Sequence, residues 1–325
     1  MIKKLLCLLV LLLTATTGAW AQEPTTYKVT LQEGTEDAKN WTVPAEAAEG
    51  ATVTATYKGD KKVKSVKAVK KNTAYAANEY NEADWYNGKV VFTKQTAASV
   101  TAVTNSDTDV TWGDGWYTVS GNVTIKGKVT LSANTSLILQ DGATLTINGQ
   151  LNAASYDLDI YGQMEGTGKL NVTCNDNAIK GPSNMTTHIH GGEITATATG
   201  ADHHGFYFGY IIMYSGKLTA TAADYHAIGF NYWGFEVYGG EVEGTSNATS
   251  GNYSGIQSES GTLKVFGGKV KGTGGAASGK GFDCKVQKGT SNIKFYFCDN
   301  GTTWGDGLSY GIASTALANR YAKAE

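Results

Sequence analysis

Three kinds of side chain in this sequence could do chemistry: carboxylates, histidines and aromatic rings. Glycoside cleavage needs two carboxyl groups about 5–9 Å apart across the scissile bond. The acidic residues do not announce such a pair. Glu193 and Glu241 fall opposite lysines in a repeat and read as structural. Asp176, Asp202 and Asp224 each precede the second strand of a repeat unit. They could line one edge as a shallow calcium site, since oxygen ligands suit that ion. They read equally well as solvated turn aspartates, which favour such positions. All five histidines lie between His188 and His226, and His204 and His226 occupy matching positions. No carboxylate or cysteine stands at a fixed offset to complete a transition-metal site, so these read as outward polar residues of a ladder. Aromatics are the most suggestive group: 11 of the chain's 34 fall within residues 206–238. Tyr214 and Tyr238 share a repeat position, and Tyr232 and Trp233 follow in a loop. Rings presented along a flat sheet can stack against sugar faces, and tyrosine adds a hydroxyl. The same rings could instead stack on one another, or cap the structure.

These residues need elements to hold them, and a repeat supplies those elements. Glycines 168, 192, 216, 240 and 268 recur at spacings of 24, 24, 24 and 28, heading the segments GKLNVT, GEITAT, GKLTAT, GEVEGT and GKVKGT. Two residues after each anchor stand Leu170, Ile194, Leu218, Val242 and Val270; four after stand Val172, Ala196, Ala220, Gly244 and Gly272. Both sets suit an interior. One residue after the anchor stand Lys169, Glu193, Lys217, Glu241 and Lys269, alternating in sign. Stacked in register, these would pair with opposite charge and oppose slippage. A second strand closes each unit with a small residue and an apolar one, as in Ala227-Ile228 and Gly281-Phe282. A period in this range means a solenoid or propeller, and short strands with little helix favour a parallel β-helix. The expected fold is all-β: a right-handed parallel β-helix of about 24 residues per rung over 105–300. A small β-sandwich-like module (22–104) precedes it, and a C-terminal cap or tail (301–325) follows.

The ends and the composition bound the compartment. Lys3 and Lys4, the apolar run Leu5 to Leu13, and Ala19-Trp20-Ala21 read as a signal peptide over 1–21. The run is too short to span a bilayer. Cleavage would leave 25 basic and 29 acidic side chains, a net charge of −4. Arg320 is the only arginine, so nucleic acid is not an expected partner. Cys174, Cys284 and Cys298 would remain; Cys284 and Cys298 could pair, or all three could be small buried residues.

The runs LILQDGATLTINGQL, LDIYGQMEGTGKL, GGEITATATG and YGGEVEGTSN resemble the β-helical, carbohydrate-binding-type domains of large secreted proteins in gut anaerobes. The resemblance covers residues 107–283, and the N-terminal module resembles short β-modules of the same proteins. It implies an extracellular location, and relatives that bind acidic plant polysaccharides with calcium. The acidic ladders of a calcium-binding version are sparse here. The expectation is therefore a non-catalytic protein that is secreted, at the cell surface or periplasmic. It would bind a polysaccharide or surface glycan through Tyr214, Tyr232, Trp233 and Tyr238. A structural or adhesin-like protein that binds protein partners is the alternative. A polysaccharide lyase or hydrolase comes third: a lyase of the usual β-helical type wants a basic catalytic residue beside bound calcium, and the repeats hold no arginine.

Overall fold

Each repeat begins with a glycine that swings the chain into a strand. Gly192, Gly216, Gly240 and Gly268 have φ values from 77° to 86°, a region that side chains strongly disfavour. Polar and apolar residues then alternate, so one side of each strand seeks an interior. In the computed structural model, the described residues are 5–13, 26–31, 38–44, 46–48, 54–60, 63–72, 75–275, 278–298, 305–306 and 321–325. Among them there is no α-helix; a 3-10 turn at Ala38–Asn40 is the only helical element.

The chain divides into two compact units, Met1–Ala74 and Tyr75–Glu325. In the first, Leu5–Leu13 lies between antiparallel Thr26–Leu31 and parallel Val63–Asn72, with Glu46–Ala48 on the outer edge of Thr26–Leu31. A short pair, Trp41–Thr42 with Thr56–Tyr57, brings Trp41 against Tyr57 at 4.9 Å between ring centroids.

The second unit is a parallel β-solenoid of about seven turns, about 24 residues apart. Each turn has three faces. The first face stacks Asn122–Ile125, Thr144–Ile147, Lys169–Cys174, Glu193–Ala201, Lys217–Asp224, Glu241–Ser246 and Lys269–Thr273. In the early turns the second and third faces use separate strands, such as Ile179–Lys180 and Thr186–Ile189. From Phe206–Met213 onward one long strand serves both. Phe206 and Tyr207 pair with Ile179 and Lys180, while Tyr210 to Met213 pair with Thr186 to Ile189.

The expected interior column is in place. Val123, Leu145, Leu170, Ile194, Leu218, Val242 and Val270 are register partners in sequence, all buried. The neighbouring column shrinks along the axis: Ile125, Ile147, Val172, Ala196, Ala220, Gly244, Gly272. Bulk on the second face compensates, with Phe206, Ile228, Ile256 and Phe282 in one column. A Cβ on Gly272 would press on the Gly281 carbonyl and come within 2.9 Å of the Phe282 ring. At the C-terminal end, Tyr321–Ala324 pairs antiparallel with Lys269–Thr273 and with Phe295–Cys298, covering the last edge of the first face.

Cys174 is half-buried and Cys284 is buried, both as free thiols. Burial raises the pKa of each. The Cys298 side chain lies outside the described residues.

A hairpin that the repeat pattern does not contain belongs to the solenoid unit. Glu79–Tyr86 and Lys89–Thr96 pair antiparallel across Asn87-Gly88, whose φ values are 51° and 81°. Two positive φ values make the primed turn that suits a tight hairpin. The hairpin lies on the third face. Gln163 Nε2 donates to the Ala76 and Glu79 carbonyls, each at 2.8 Å, and Thr118 Oγ1 donates to the Ala77 carbonyl at 2.8 Å. The domain boundary expected near residue 104 compares with a division after Ala74, because this hairpin packs on the solenoid.

Candidate functional site

The aromatic residues fall into three places. The first is a stack on the outer edge of the third face. Alternation turns Tyr161, His190, Tyr214, Tyr238 and Phe266 outward, one per turn. Successive centroids lie 4.5, 5.1, 5.3 and 4.5 Å apart, with planes within 21° of parallel. Tyr214 and Tyr238 are therefore side by side one rung apart, and their ring faces are used by their neighbours. The hairpin lies across this stack. Tyr80 packs on Trp116 and Tyr161, and Trp85 packs on Tyr238 and Phe266. Between them, Nδ1 of His190 lies 2.9 Å from the Ala83 carbonyl and 3.1 Å from its amide nitrogen, so its tautomer decides which bond forms. The Tyr238 hydroxyl donates to Glu236 (2.7 Å), which also receives Lys264 (3.1 Å).

Tyr232 and Trp233 occupy a second place, the corner between the second and third faces. They are 58% and 56% exposed, with ring centroids 5.0 Å apart. The four residues expected to bind sugar thus divide into two stacked, half-buried rings and two exposed ones.

The third place is on the second face, where an outward rank runs Lys180, Tyr207, Gly229, Gln257 along the axis. Gly229 has no side chain between Tyr207 and Gln257, and the rings of His204 and Tyr207 fill the space that a Cβ at 229 would take. Beside these rings is an open groove of about 440 Å³, which includes Tyr225, His226, Asn231, Asp202 and Glu259 in its lining. Tyr232 and Trp233 follow Asn231 directly in the chain. The side chains of Lys180, Tyr207, Gln257 and Glu259 make no hydrogen bond or ion pair with other described residues. The two histidines are held neutral. Burial lowers His204 to about 3, helped by repulsion from His226, His203 and Lys180. It lowers His226 to about 4, against the opposing pull of Asp283. His226 Nδ1 accepts the Ser254 amide at 2.8 Å, leaving the ring proton on Nε2. Three buried polar atoms in or beside residues of this groove, His204 Nε2, Asp224 Oδ1 and Ser254 Oγ, have no hydrogen-bond partner among the described residues. Such atoms carry a desolvation cost.

A further groove, about 520 Å³, lies between the hairpin and the third face. Its polar groups are largely paired with one another. His188 Nδ1 meets Asp159 at 2.7 Å, and Gln95 donates to Glu82 at 3.1 Å. The second-face groove has the unpaired side chains, so it is the better ligand site.

The aspartates considered for calcium stand apart in role. Asp176 meets His203 at 3.4 Å and accepts the Asn177 amide. Asp202 has φ 61° and lies 3.5 Å from the Tyr253 hydroxyl. Among the described residues, no three His, Cys, Asp or Glu side chains converge as metal ligands would. No helix of the described residues is long and apolar enough to cross a membrane.

The second-face rank also has a signal in the sequence. Lys180, Tyr207, Gly229, Gln257 and Asp283 each follow the apolar residue that closes a repeat. Aligning that position would have displayed the row. The hairpin, too, had a signal in Asn87-Gly88 between β-rich runs. None of the protein families, curated proteins or solved structures compared with the chain matches it.

Proposed function

We propose that this is an exported, non-catalytic protein that binds glycans on the second face of its solenoid. The observation that carries this reading is the groove beside His204 and Tyr207, with tyrosine rings and the side chains of Gln257, Lys180 and Glu259 unpaired among the described residues; the exposed Tyr232–Trp233 pair follows its Asn231 in the chain. Rings supply stacking area and the polar groups supply orientation, the combination a sugar chain requires. Tyr214, stacked between His190 and Tyr238, and Tyr238, stacked on Phe266 and overlain by Trp85, hold the third-face ladder instead of meeting the ligand. Export rests on the leader-like N-terminus. Sequencing the N-terminus of protein recovered outside the cytoplasm should begin at Gln22.

The binding test is a glycan array with wild type and Trp233→Ala. Retention should fall in the variant while its thermal midpoint stays within about 2 °C, as for a surface substitution. Unchanged retention, or loss only in proportion to unfolded protein, would remove the corner from the site. A protein-binding reading draws on Tyr86 and Phe92, 63% and 53% exposed on the hairpin. It predicts a blank array.

A further inference from the structure

The charges and register of the second-face groove indicate which class of glycan it takes. This rests on the glycan-binding reading above. The rank Lys180, Tyr207, Gly229, Gln257 runs along the solenoid axis, one residue per rung. Parallel strands lie about 4.8 Å apart, so three steps span about 14 Å, room for a few sugar rings end to end. Tyr207 offers a ring. Gly229 has no side chain and is covered by the His204 and Tyr207 rings, and Gln257 offers a donor and an acceptor beyond them.

Formal charge within the groove is unbalanced. Lys180 is its one cation, against Asp202 and Glu259. Asp283, next in the rank, is already paired with Lys280 at 2.8 Å. His204 and His226 stay neutral at ordinary pH and add no cation. A polyuronate would place a carboxylate on every ring beside Asp202 and Glu259, with one lysine to offset them. Like charges brought together in a partly desolvated groove are costly. A polycationic chain would meet Lys180 and would leave the amide-rich middle unused. Hydroxyl groups, which donate and accept, match the set of amides, tyrosine hydroxyls, amine and carboxylates without adding charge.

We propose that the groove binds an uncharged oligosaccharide chain laid along the solenoid axis, one ring face on Tyr207 and the chain continuing past the His204 ring, which covers Gly229, toward Gln257. The chain bridges from Lys180 to Gln257, and the Tyr232–Trp233 corner flanks it. Affinity rises with length up to the span of the rank and then levels.

The test is titration calorimetry of the full chain with three hexasaccharide classes: neutral β-1,4-linked glucose, xylose and mannose chains, oligogalacturonate, and chitosan oligomers. Two variants accompany the wild type, Tyr207→Ala and Gln257→Ala, each checked by thermal unfolding. At least one neutral chain should bind, with affinity unchanged between 50 mM and 500 mM NaCl, since screening acts on charge pairs. Each variant should weaken it about tenfold at an unchanged unfolding midpoint, the size of one lost stacking or hydrogen-bond contact. Tighter binding of the galacturonate or chitosan chain, or a steep salt dependence, would overturn the neutral-chain assignment while leaving glycan binding standing. Neutral binding that ignores both variants would overturn the placement on this rank. Absence of heat with all three classes, together with a blank array, would overturn glycan binding itself.

Discussion

His204 and His226 show how burial sets what a residue can do. Each ring fits beneath or beside a neighbour in the next turn, and each is kept neutral by desolvation. The charged and titratable groups acting on them are His226, His203 and Lys180 for His204 and Asp283 for His226. The native pKa values, about 3 and about 4, lie below the ordinary histidine value of 6.5. As pH falls below 6.5, the unfolded chain takes up protons that the native chain refuses. Stability therefore falls from pH 6.5 toward pH 4 and is fully retained above that window. Urea midpoints measured from pH 7.5 to 4.5 should drop in the wild type. His226→Gln, which cannot titrate, should flatten that slope even if it lowers stability at every pH. An identical slope in the variant would mean that His226 is not a source of the acid sensitivity.

At the scale of elements, two ladders hold the solenoid in register by different physics. The charge ladder on the first face is exposed. Lys169 meets Glu193 at 2.9 Å with side chains 49% and 44% accessible, and Lys269 meets Glu241 at 3.7 Å. Exposed pairs of this kind contribute about 0.2–1 kcal/mol. Glu193→Lys sets three lysines in a row, so it should cost about 1 kcal/mol in low salt, with much of the loss recovered in 1 M NaCl. A loss of several kcal/mol that ignores salt would mean that Glu193 is not at the surface. The aromatic ladder on the third face is different, because its rings are shared with the hairpin. Each stacked pair adds about 0.5–1.5 kcal/mol beyond area burial. His190 is the one member that also bonds the hairpin backbone, at Ala83. His190→Phe keeps a ring in the stack and removes that bond. Amide exchange across residues 79–96 should then quicken, with strands of the first face unchanged. Equal protection in both proteins would show that Tyr80 and Trp85 suffice to hold the hairpin.

Over the whole molecule, stability is shared between neighbouring turns, since each turn touches mainly the one before and the one after. The ends are then the exposed points. Tyr321–Ala324 returns antiparallel to lie on Lys269–Thr273, so the last parallel strand of the first face does not present a free edge. An unpaired edge is a template for another chain. A chain shortened by Tyr321–Glu325 should keep its parallel-strand content and gain concentration-dependent association in light scattering, along with a lower unfolding midpoint. A strictly monomeric shortened chain would show that the edge is protected by something other than this strand. The ligand path proposed along the second face runs parallel to the same axis, so in that proposal one repeat geometry serves both stacking and recognition.

By itself, the sequence determined whatever depends on period. Glycine spacing placed the turns, alternation chose Leu170, Ile194, Leu218, Val242 and Val270 for the interior, and the sign of every twenty-fourth residue predicted the charge row. Register partners at those positions follow directly, because parallel stacking maps equal repeat positions onto one another. Tertiary structure alone decided which outward residues meet solvent. Tyr214, on a repeat position, and Trp233, expected in a loop, belong to one aromatic set in the sequence, yet one lies in a stack beside the hairpin and the other is 56% exposed. That difference comes from the pairing of Glu79–Tyr86 with a face more than 80 residues away, as Asn81 with Gln163 illustrates. Alternation states only which side of a strand a residue occupies. What covers that side is a long-range contact, and local periodicity carries no record of it.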